Sequence, residues 1–284
     1  MIKVGQLNRL KVIKEVTFGV YLEGGSWGEI LLPKKFLPAG TKMHDSLEVF
    51  IYFDSEDKII ATTQRPFAKV DSCAFLKVSD VNRFGAFLDW GLDKDLLVPK
   101  SEQQRPMEKG KSYIVYVRQD RDGRIVASSK LDYYLDKAPA DFKQTDKVNL
   151  LIAETTLLGT KVIINDTHWG LIYASDIFQT LDYGSKVIGY IKTLRDDGKI
   201  DVSLRKTGQD NIQDLAKRIL AHLHKEKGFL ALHDKSPYSD IQQMFGESKK
   251  SFKAAIGYLY KQGEISLEAE GIRLRDKKNK DNFK

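Results

Sequence analysis

The sequence contains five histidines, and histidine can serve both as a general base and as a metal ligand. His222 and His224 stand two positions apart in a stretch with helical periodicity, so they point to different faces. The other three, at positions 44, 168 and 233, have no cysteine or carboxylate at the spacing of a metal site. The histidines therefore predict neither a metal centre nor a catalytic base.

The remaining candidates for chemistry are one acidic cluster and one cysteine. Asp196, Asp197 and Asp201 surround a glycine, a pattern more typical of a tight hairpin than of a metal-dependent nuclease. No glycine-rich phosphate loop precedes a Lys-Ser or Lys-Thr pair. Cys73 has no partner for an internal disulfide, which agrees with a reducing cytoplasm, and is interpreted as a small buried side chain. The sequence thus predicts a binding protein and not an enzyme, with no metal, cofactor or small-molecule substrate.

Composition narrows the kind of partner. The chain has 284 residues and a net charge of +7, with 42% hydrophobic and 30% charged residues, an ordinary balance for a folded protein. It has neither an apolar run of roughly 18 residues nor a signal-peptide pattern, so we expect a cytoplasmic location and no membrane partner. The positive charge suits a partner with phosphates, but it is spread along the chain. Affinity for nucleic acid would therefore need more than lysines.

The elements that must position the binding side chains come from a threefold repeat. Phe18-Gly19-Val20-Tyr21-Leu22 returns as Phe84-Gly85-Ala86-Phe87-Leu88 and, further diverged, as Leu158-Gly159-Thr160-Lys161-Val162. Each copy continues into a short apolar run and closes on a charged turn and a strand, over Asp54 to Thr62, Asp120 to Ser128 and Asp196 to Ser203. The first two copies keep a constant offset of 66 residues, from Phe18 to Phe84 and from Pro33 to Pro99. Such spacing marks a folding unit, so one small module is used three times.

Each copy has the pattern of β structure. Leu47 to Phe53 and Tyr113 to Val117 are short, rich in β-branched and aromatic residues, and bounded by polar turns. The Asp-Gly pairs at 122–123 and 197–198 are typical of tight hairpins. Five strands in about 65 residues, without helical periodicity, predict a closed barrel of the OB-fold class.

After Leu204 the periodicity becomes helical. An apolar stripe from Ile212 ends near Gly228, a second helix starts at Ser236-Pro237, and a third starts near Ser248. A hairpin follows, so this part predicts a winged helix. The fold class is therefore multidomain and mainly β, with three tandem five-stranded OB barrels before an α/β winged helix. We expect OB domains at 1–66, 67–140 and 141–207, a winged-helix domain at 208–275, and a disordered tail at 276–284.

The order of motifs within each copy resembles the S-one RNA-binding domain, named after protein one of the small ribosomal subunit. The likeness rests on three motifs: a Phe-Gly-aromatic strand, an apolar strand, and an Asp-x-x-Gly-Arg/Lys-Ile turn before a serine-bearing strand. It covers about residues 5–66, 68–131 and 147–206. In that family two aromatics, a histidine or aromatic ending the next strand, and the Asp and Arg of the turn form the nucleic-acid face. The resemblance implies single-stranded RNA as the partner.

Carried over one position at a time, the resemblance implies an RNA-binding face on each copy. In the second copy the residues are Phe84, Phe87, Asp120 and Arg124, with Val98 in place of the histidine. In the first copy they are Phe18, Tyr21, Asp54 and Lys58, with Leu32 in place of the histidine. In the third copy Leu158 and Lys161 replace the aromatics, with Tyr173 at the histidine position and Lys199 at the arginine position, which implies a differently built face.

The orientation of the aromatic pair is a separate question. Strict alternation would put Phe84 and Phe87 on opposite faces of one strand, so we expect a bulge or sharp coil at Gly85 to turn both rings outward. Exposed rings would offer bases a stacking surface, and Arg124 or Lys58 would neutralise phosphate. The alternative is that the rings simply fill the barrel.

Two further groups of residues are weaker candidates. Trp27, Trp90 and Trp169 each precede a glycine near the equivalent loop; we interpret them first as plugs over the barrel mouth, with Trp27 and Trp169 as additional stacking residues. Lys249, Lys250 and Lys253 begin the third helix and could meet phosphates, or form a solvated face. Glutamates at the wing tip and the lack of base-reading side chains favour contact with RNA or protein over sequence-specific DNA binding.

The whole chain resembles the bacterial conserved virulence factor B family. The closing run Phe245-Gly246-x-Ser248-Lys249-x-Ser251-Phe252-Lys253 looks like the C-terminal domain of that family. The resemblance implies a cytoplasmic, non-catalytic protein that binds single-stranded RNA and regulates gene expression after transcription. Two alternatives stay open: a protein-interaction scaffold on ribosomes or an RNA-processing assembly, and a DNA-binding transcription regulator that acts through the winged helix.

Overall fold

The computed structural model describes residues 2–137, 139–177, 179–206 and 209–275. These residues form two compact units, one made of strands and one that contains the helices and begins, apart from two short segments, at Ser203. The predicted disordered tail at 276–284 lies outside the described residues. No helix in the described part combines the length and the apolar character needed to cross a membrane.

The predicted barrels are confirmed. In each of them the strands follow one closed order, first, second, third, fifth and fourth. The first barrel contains β1 (Leu7–Val16), β2 (Gly19–Glu23), β3 (Glu29–Pro33), β4 (Ser46–Phe53) and β5 (Ile59–Thr62). The second contains β6 (Ser72–Val81), β7 (Gly85–Asp89), β8 (Leu96–Pro99), β9 (Ser112–Gln119) and β10 (Ile125–Ser128). The third contains β11 (Lys147–Thr156), β12 (Gly159–Ile164), β13 (His168–Tyr173), β14 (Lys186–Leu194) and β15 (Ile200–Ser203).

The expected bulge at Gly85 is wrong, because the irregularity lies on the neighbouring strand. The register of β6 against β7 shifts between Val78 and Asp80, and the first strand of each other barrel carries the same shift. Gly85 serves another purpose: a Cβ placed there would lie 2.1 Å from the carbonyl oxygen of Val98. Phe84 precedes β7, so strand alternation does not govern its direction.

A tryptophan joins the first two barrels. Phe50 and Tyr52 of β4 belong to the buried core of the second barrel, and the Phe50 ring lies edge-on to Trp90 with centroids 5.7 Å apart. Trp90 is 3% exposed, and its indole N–H donates to the carbonyl of Lys94 over 2.6 Å. This burial excludes Trp90 as an exposed stacking residue. An apolar seam of this kind orients the two barrels relative to each other.

A second buried cluster joins the second and third barrels. It contains Cys73 and Ile114 of the second barrel and Ile163 of the third. The backbone N–H of Cys73 donates to a carboxylate oxygen of Asp166 over 3.1 Å. Burial raises the pKa of the Cys73 thiol, so the thiol stays protonated at neutral pH. Cys73 is the small buried residue that the sequence predicts.

The predicted winged helix is confirmed in the second unit. Its elements are α1 (Gln209–Lys225), β16 (Phe229–Leu230), α2 (Tyr238–Phe245), α3 (Lys249–Lys261), β17 (Ile265–Glu268) and β18 (Gly271–Leu274), with the strands in the order β16, β18, β17. Gly246 ends α2 in the left-handed region at φ 67°. Ser248 caps α3, since its hydroxyl accepts the backbone N–H of Ser251 over 3.1 Å.

Candidate functional site

The aromatic pair of the second barrel lies on the outside. Phe84 is 59% exposed, and the guanidinium of Arg83 stands 4.8 Å from the centroid of its ring. The carboxamide of Asn82 accepts the backbone N–H of Phe84 over 2.8 Å, which holds the turn before β7. Phe87 is half-buried between two fully buried neighbours of β7, so its side chain points outward. The alternative in which these rings fill the barrel is wrong.

The first barrel repeats this arrangement. Phe18 is 55% exposed and Tyr21 is half-buried, with their rings edge-on at 6.4 Å between centroids. The ammonium group of Lys14 stands 5.4 Å from the centroid of Tyr21, close enough for a cation–π contact. Two barrels therefore each present an exposed ring, a half-buried ring and a cation at one place.

Strand pairing proves that these positions are equivalent. Tyr21 pairs with Leu31, Phe87 with Leu97, and Lys161 with Leu171. The leucines in turn pair with Ile60, Val126 and Asp201 on the last strand of their barrels. The face of each barrel is thus one row across three strands, as the repeat predicts. In the third barrel that row carries Lys161 and Asp201 where the others carry a ring and an aliphatic side chain.

The predicted Asp and Arg of the second barrel are engaged with each other. One carboxylate oxygen of Asp120 accepts the backbone N–H groups of Asp122 and Arg124, each over 2.9 Å, and the other accepts the Nε–H of Arg124 over 2.9 Å. In the first barrel Asp54 accepts the backbone N–H groups of Glu56 and Lys58 in the same way. Each aspartate therefore stabilises the turn of its own barrel. The turn positions Arg124 in the second barrel and Lys58 in the first.

The electrostatics of this turn give a pH-dependent prediction. Burial disfavours the Asp120 carboxylate, but hydrogen bonds from the backbone and side chain of Arg124 outweigh it and lower the pKa of Asp120 below its ordinary value. A carboxylate whose pKa is lower in the folded chain contributes stability above its unfolded pKa of ~3.9, and the contribution is lost as pH falls through the folded pKa.

We therefore expect the backbone N–H resonance of Arg124 to shift with a midpoint below pH ~3.9, because its acceptor becomes protonated there. Asp120→Asn should abolish this titration while the turn keeps its other hydrogen bonds. NMR titration of the amide checks both. A midpoint at or above the ordinary aspartate value would contradict the assignment.

The turn of the third barrel corrects one sequence alignment. The backbone N–H of Asp54 donates to the carbonyl of Lys58, that of Asp120 to Arg124, and that of Arg195 to Lys199, over 2.8 to 2.9 Å. Arg195, and not Asp196, therefore stands at the position of the two aspartates. The sequence analysis did not identify Arg195. Its position could have been found, because Asp120 and Arg195 each stand three residues before the glycine of their turn, Gly123 and Gly198.

The histidine position also needs correction by one residue. Tyr173 pairs with Gly159, as Pro33 pairs with Gly19 and Pro99 with Gly85. Leu32 and Val98, which the sequence places at that position, are fully buried and point into their barrels. Tyr173 is therefore equivalent to the two prolines, and it lies partly exposed at the end of β13.

The structure brings the third-barrel candidates together in one cleft of about 1110 Å³. Lys161, Tyr173 and Lys199 line it, as do Arg195 and Trp169. The ammonium group of Lys161 lies 3.7 Å from the centroid of the Trp169 ring. This cleft lies entirely within the unit of strands, so its lining is set by that unit alone.

The other two tryptophans of the loops differ in role. The indole N–H of Trp169 donates to Asp132 over 2.9 Å and its backbone N–H to Asp136 over 3.0 Å, so Trp169 anchors the segment after the second barrel. Trp27 is 45% exposed and lies edge-on to Phe53 at 6.1 Å. The plug interpretation therefore suits Trp169 better than Trp27, which stays a stacking candidate.

The candidate lysines of the winged helix lie at the start of α3. The ammonium group of Lys249 donates to the carbonyl of Lys235 over 3.2 Å, and that of Lys253 lies 3.7 Å from a carboxylate oxygen of Asp234. Lys250 is exposed beside them. Within the described residues no group of three or more His, Cys, Asp or Glu side chains is arranged to hold a metal ion.

Comparison with known proteins adds family information. Residues 4–64 and 73–130 match the S1 domain, and residues 217–274 match the CvfB-like winged helix domain. The uncharacterized protein YitL of Bacillus subtilis is 30% identical over 277 residues, covering 93% of this chain and 91% of YitL. Conserved virulence factor B of Staphylococcus haemolyticus is 25% identical, covering 96% of this chain and 95% of its own length.

One solved structure is similar over nearly the whole chain. It is the crystal structure of a multidomain protein with nucleic acid binding domains from Streptococcus pneumoniae, with a TM-score of 0.41 and 24% identity. The alignment covers 96% of this chain and 98% of that one.

Proposed function

Because the chain belongs to the family of conserved virulence factor B and YitL, which joins S1 domains to a winged helix, we propose that it binds single-stranded RNA without catalysing a reaction. S1 and winged-helix domains are nucleic-acid-binding modules. The bases are taken up by the outward-facing rings of the first two barrels. The protein acts in the cytoplasm, where it regulates gene expression after transcription.

One observation carries this proposal: Phe18 and Phe84 are more than half exposed at equivalent places on two barrels. A phenylalanine that only served packing would be expected inside, since its burial is worth about 1.5–3 kcal/mol. A solvated ring beside a cation instead offers a base a stacking surface, worth ~1–3 kcal/mol per base. Single-stranded RNA is the partner whose bases are unstacked and free to lie on such rings.

The test is the double substitution Phe84→Ala and Phe87→Ala, which we expect to weaken binding of unstructured RNA at least tenfold. Each lost stacking contact costs ~1–3 kcal/mol, and tenfold corresponds to ~1.4 kcal/mol. Filter binding of the full chain to an RNA of random sequence measures the change. Circular dichroism should be unchanged, because neither ring belongs to the buried core of its barrel.

The matched control is Tyr133→Ala, which removes a ring that is 69% exposed but lies in the short helix after β10 and not on a barrel strand. It should bind RNA like the unsubstituted chain. Equal affinity of the double variant and the unsubstituted chain would refute the assignment of these rings. If the unsubstituted chain bound no RNA in a saturable, salt-sensitive way, the interpretation as a protein scaffold would replace ours. A preference for duplex DNA over RNA would favour the interpretation as a DNA-binding regulator that acts through the winged helix. RNA that stays full length during the assay supports the non-catalytic part.

A further inference from the structure

We propose that a pocket where the three barrels meet binds a small phosphate ester that carries a flat ring, as a mononucleotide does. The pocket has a volume of about 230 Å³ and lies entirely within the unit of strands. None of its lining residues belongs to the outward-facing rows of the three barrels. The inference therefore goes beyond RNA binding and gives the protein a second, separate ligand.

The first step is the place of the pocket in the fold. Part of its lining is the segment 65–69, which links the first barrel to the second. The barrels themselves contribute Leu7 of β1, Ser72 at the start of β6, Asp166 between β12 and β13, and Lys186 at the start of β14. Ligand pockets occur preferentially where domains meet. A ligand held here contacts all three modules.

The second step is the charge of the lining, in which the cations are Arg65, Lys69 and Lys186 and the carboxylate is Asp166. The guanidinium of Arg65 is paired with Glu48 over 2.6 Å. Within the described part of the chain, the ammonium groups of Lys69 and Lys186 form neither a hydrogen bond nor an ion pair. Two cations are thus left for a phosphate ester, which carries a charge of about −1.5 to −2 at neutral pH.

The third step is the support of the linking segment. The hydroxyl of Ser72 accepts the backbone N–H of Lys69 over 3.0 Å and donates to the carbonyl of Lys69 over 2.7 Å, which closes a tight turn beside the pocket. The next residue, Val70, donates its backbone N–H to the carbonyl of Gly5 over 2.9 Å. The backbone on this side of the pocket is therefore already in place, which lowers the entropic cost of binding a ligand.

The fourth step concerns the carboxylate of Asp166. Burial raises the pKa of Asp166 above its ordinary value, although the N–H of Cys73 and the charges of Lys186 and Lys69 oppose the shift. One carboxylate oxygen accepts the backbone N–H of Cys73 over 3.1 Å, and the other makes no hydrogen bond to any described residue. That second oxygen can accept a hydroxyl or an amino group, and a nucleoside has the first on its ribose and the second on most bases.

The fifth step is the aromatic ring of Phe67, which is 62% exposed. The backbone N–H of Phe67 donates to the carbonyl of Trp90 over 2.8 Å. A Cβ placed at Gly91 would lie 3.2 Å from the Cζ atom of the ring, so the backbone of Gly91 lies against the far end of the ring. The ring is thus held in place while most of its surface faces water, and a flat ring of the ligand can stack on it.

Isothermal titration calorimetry of the full chain with AMP tests the proposal. Inorganic phosphate and adenosine should each bind at least about tenfold more weakly than AMP, because each lacks one half of the recognised groups. Lys69→Gln with Lys186→Gln should weaken AMP binding at least about tenfold, because both ammonium groups for the phosphate are lost. Phe67→Ala should weaken it about fivefold through loss of stacking.

The matched control is Lys11→Gln with Lys77→Gln, which removes the same charge from exposed lysines of β1 and β6 that do not line the pocket. This variant should bind AMP like the unsubstituted chain. Phe84→Ala with Phe87→Ala should also leave AMP binding unchanged, and the pocket variants should bind unstructured RNA normally. The inference and the proposed function can therefore fail independently of each other.

Four results would overturn the inference. The first is AMP binding that is absent, or equal in the unsubstituted chain and the lysine variant of the pocket. The second is loss of AMP binding in the variant of Phe84 and Phe87, which would assign the nucleotide to the RNA-binding rings. The third is a parallel loss of RNA binding in the lysine variant, which would make the pocket part of the RNA site. The fourth is adenosine that binds as tightly as AMP, which would exclude recognition of the phosphate.

Discussion

Removing the rings of both barrels at once, with Phe18, Tyr21, Phe84 and Phe87 all changed to alanine, is expected to weaken RNA binding at least a hundredfold. Stacking is worth ~1–3 kcal/mol per base, so four lost rings remove more than the ~2.7 kcal/mol that a hundredfold change requires. The two modules also belong to one compact unit, so binding at one raises the effective concentration of the strand at the other.

The geometry between these two barrels supports a joint effect. The ammonium group of Lys94, in the second barrel, donates to the carbonyl of Asp54 over 2.5 Å and lies 3.4 Å from Asp57. The turn of the first barrel is thereby held against the second. An RNA strand bound on the face of one barrel thus meets the face of the other barrel at a fixed position.

Filter binding against the second-barrel double variant checks this prediction. The four-ring variant should bind at least tenfold more weakly than that double variant, while Tyr133→Ala again binds normally. If the two variants bound equally, the first barrel would contribute nothing and the binding chemistry would belong to the second barrel alone.

The second large effect concerns Gly85, whose substitution by alanine should lower the free energy of unfolding of the barrels by about 3 kcal/mol. The new Cβ would lie 2.1 Å from the carbonyl oxygen of Val98 and 3.0 Å from the Cα of Pro99. Both contacts are with the backbone of β8, so no side chain can rotate away. Strands β7 and β8 must separate, which breaks the pairing that supports the binding face.

The matched control is the same chemical change at Gly257 in α3, where a Cβ would meet nothing within 4 Å. Alanine is the better helix former by about 1 kcal/mol, so Gly257→Ala should stabilise its helix slightly. All three tryptophans lie in the barrels, so urea unfolding followed by their fluorescence reports the barrels alone. A Gly85→Ala chain that unfolds at the urea concentration of the unsubstituted chain would contradict the close approach.

Much of the fold could be predicted because each element carries local signals. The glycine of the repeat, the Asp-Gly turns and the alternation of apolar side chains specify strands and hairpins over a few residues. In the winged helix, Ser248 and Gly246 act at the ends that the pattern predicts. Three copies of one motif at similar spacing then indicate three similar barrels.

The candidate site was predictable where two copies share one spacing. Phe18 and Phe84, or Tyr21 and Phe87, stand at a constant offset, and strand pairing places them at equivalent positions. Alignment with the third copy lacks that constant offset. The sequence-based equivalences of Tyr173 with Val98 and of Asp196 with Asp120 are therefore each displaced by one residue. Only hydrogen bonds between strands and within the turn show that Tyr173 is equivalent to Pro99, and Arg195 to Asp120.

Local sequence therefore determined the strands, helices and turns of this protein, because backbone preferences and apolar alternation act between near neighbours. The tertiary structure decided which side chains share a surface. Trp90 is buried because β4 of another barrel covers it, and Arg195 joins Lys161 because strands far apart in sequence close one barrel. Contacts between distant segments set these outcomes, and no short-range pattern encodes them.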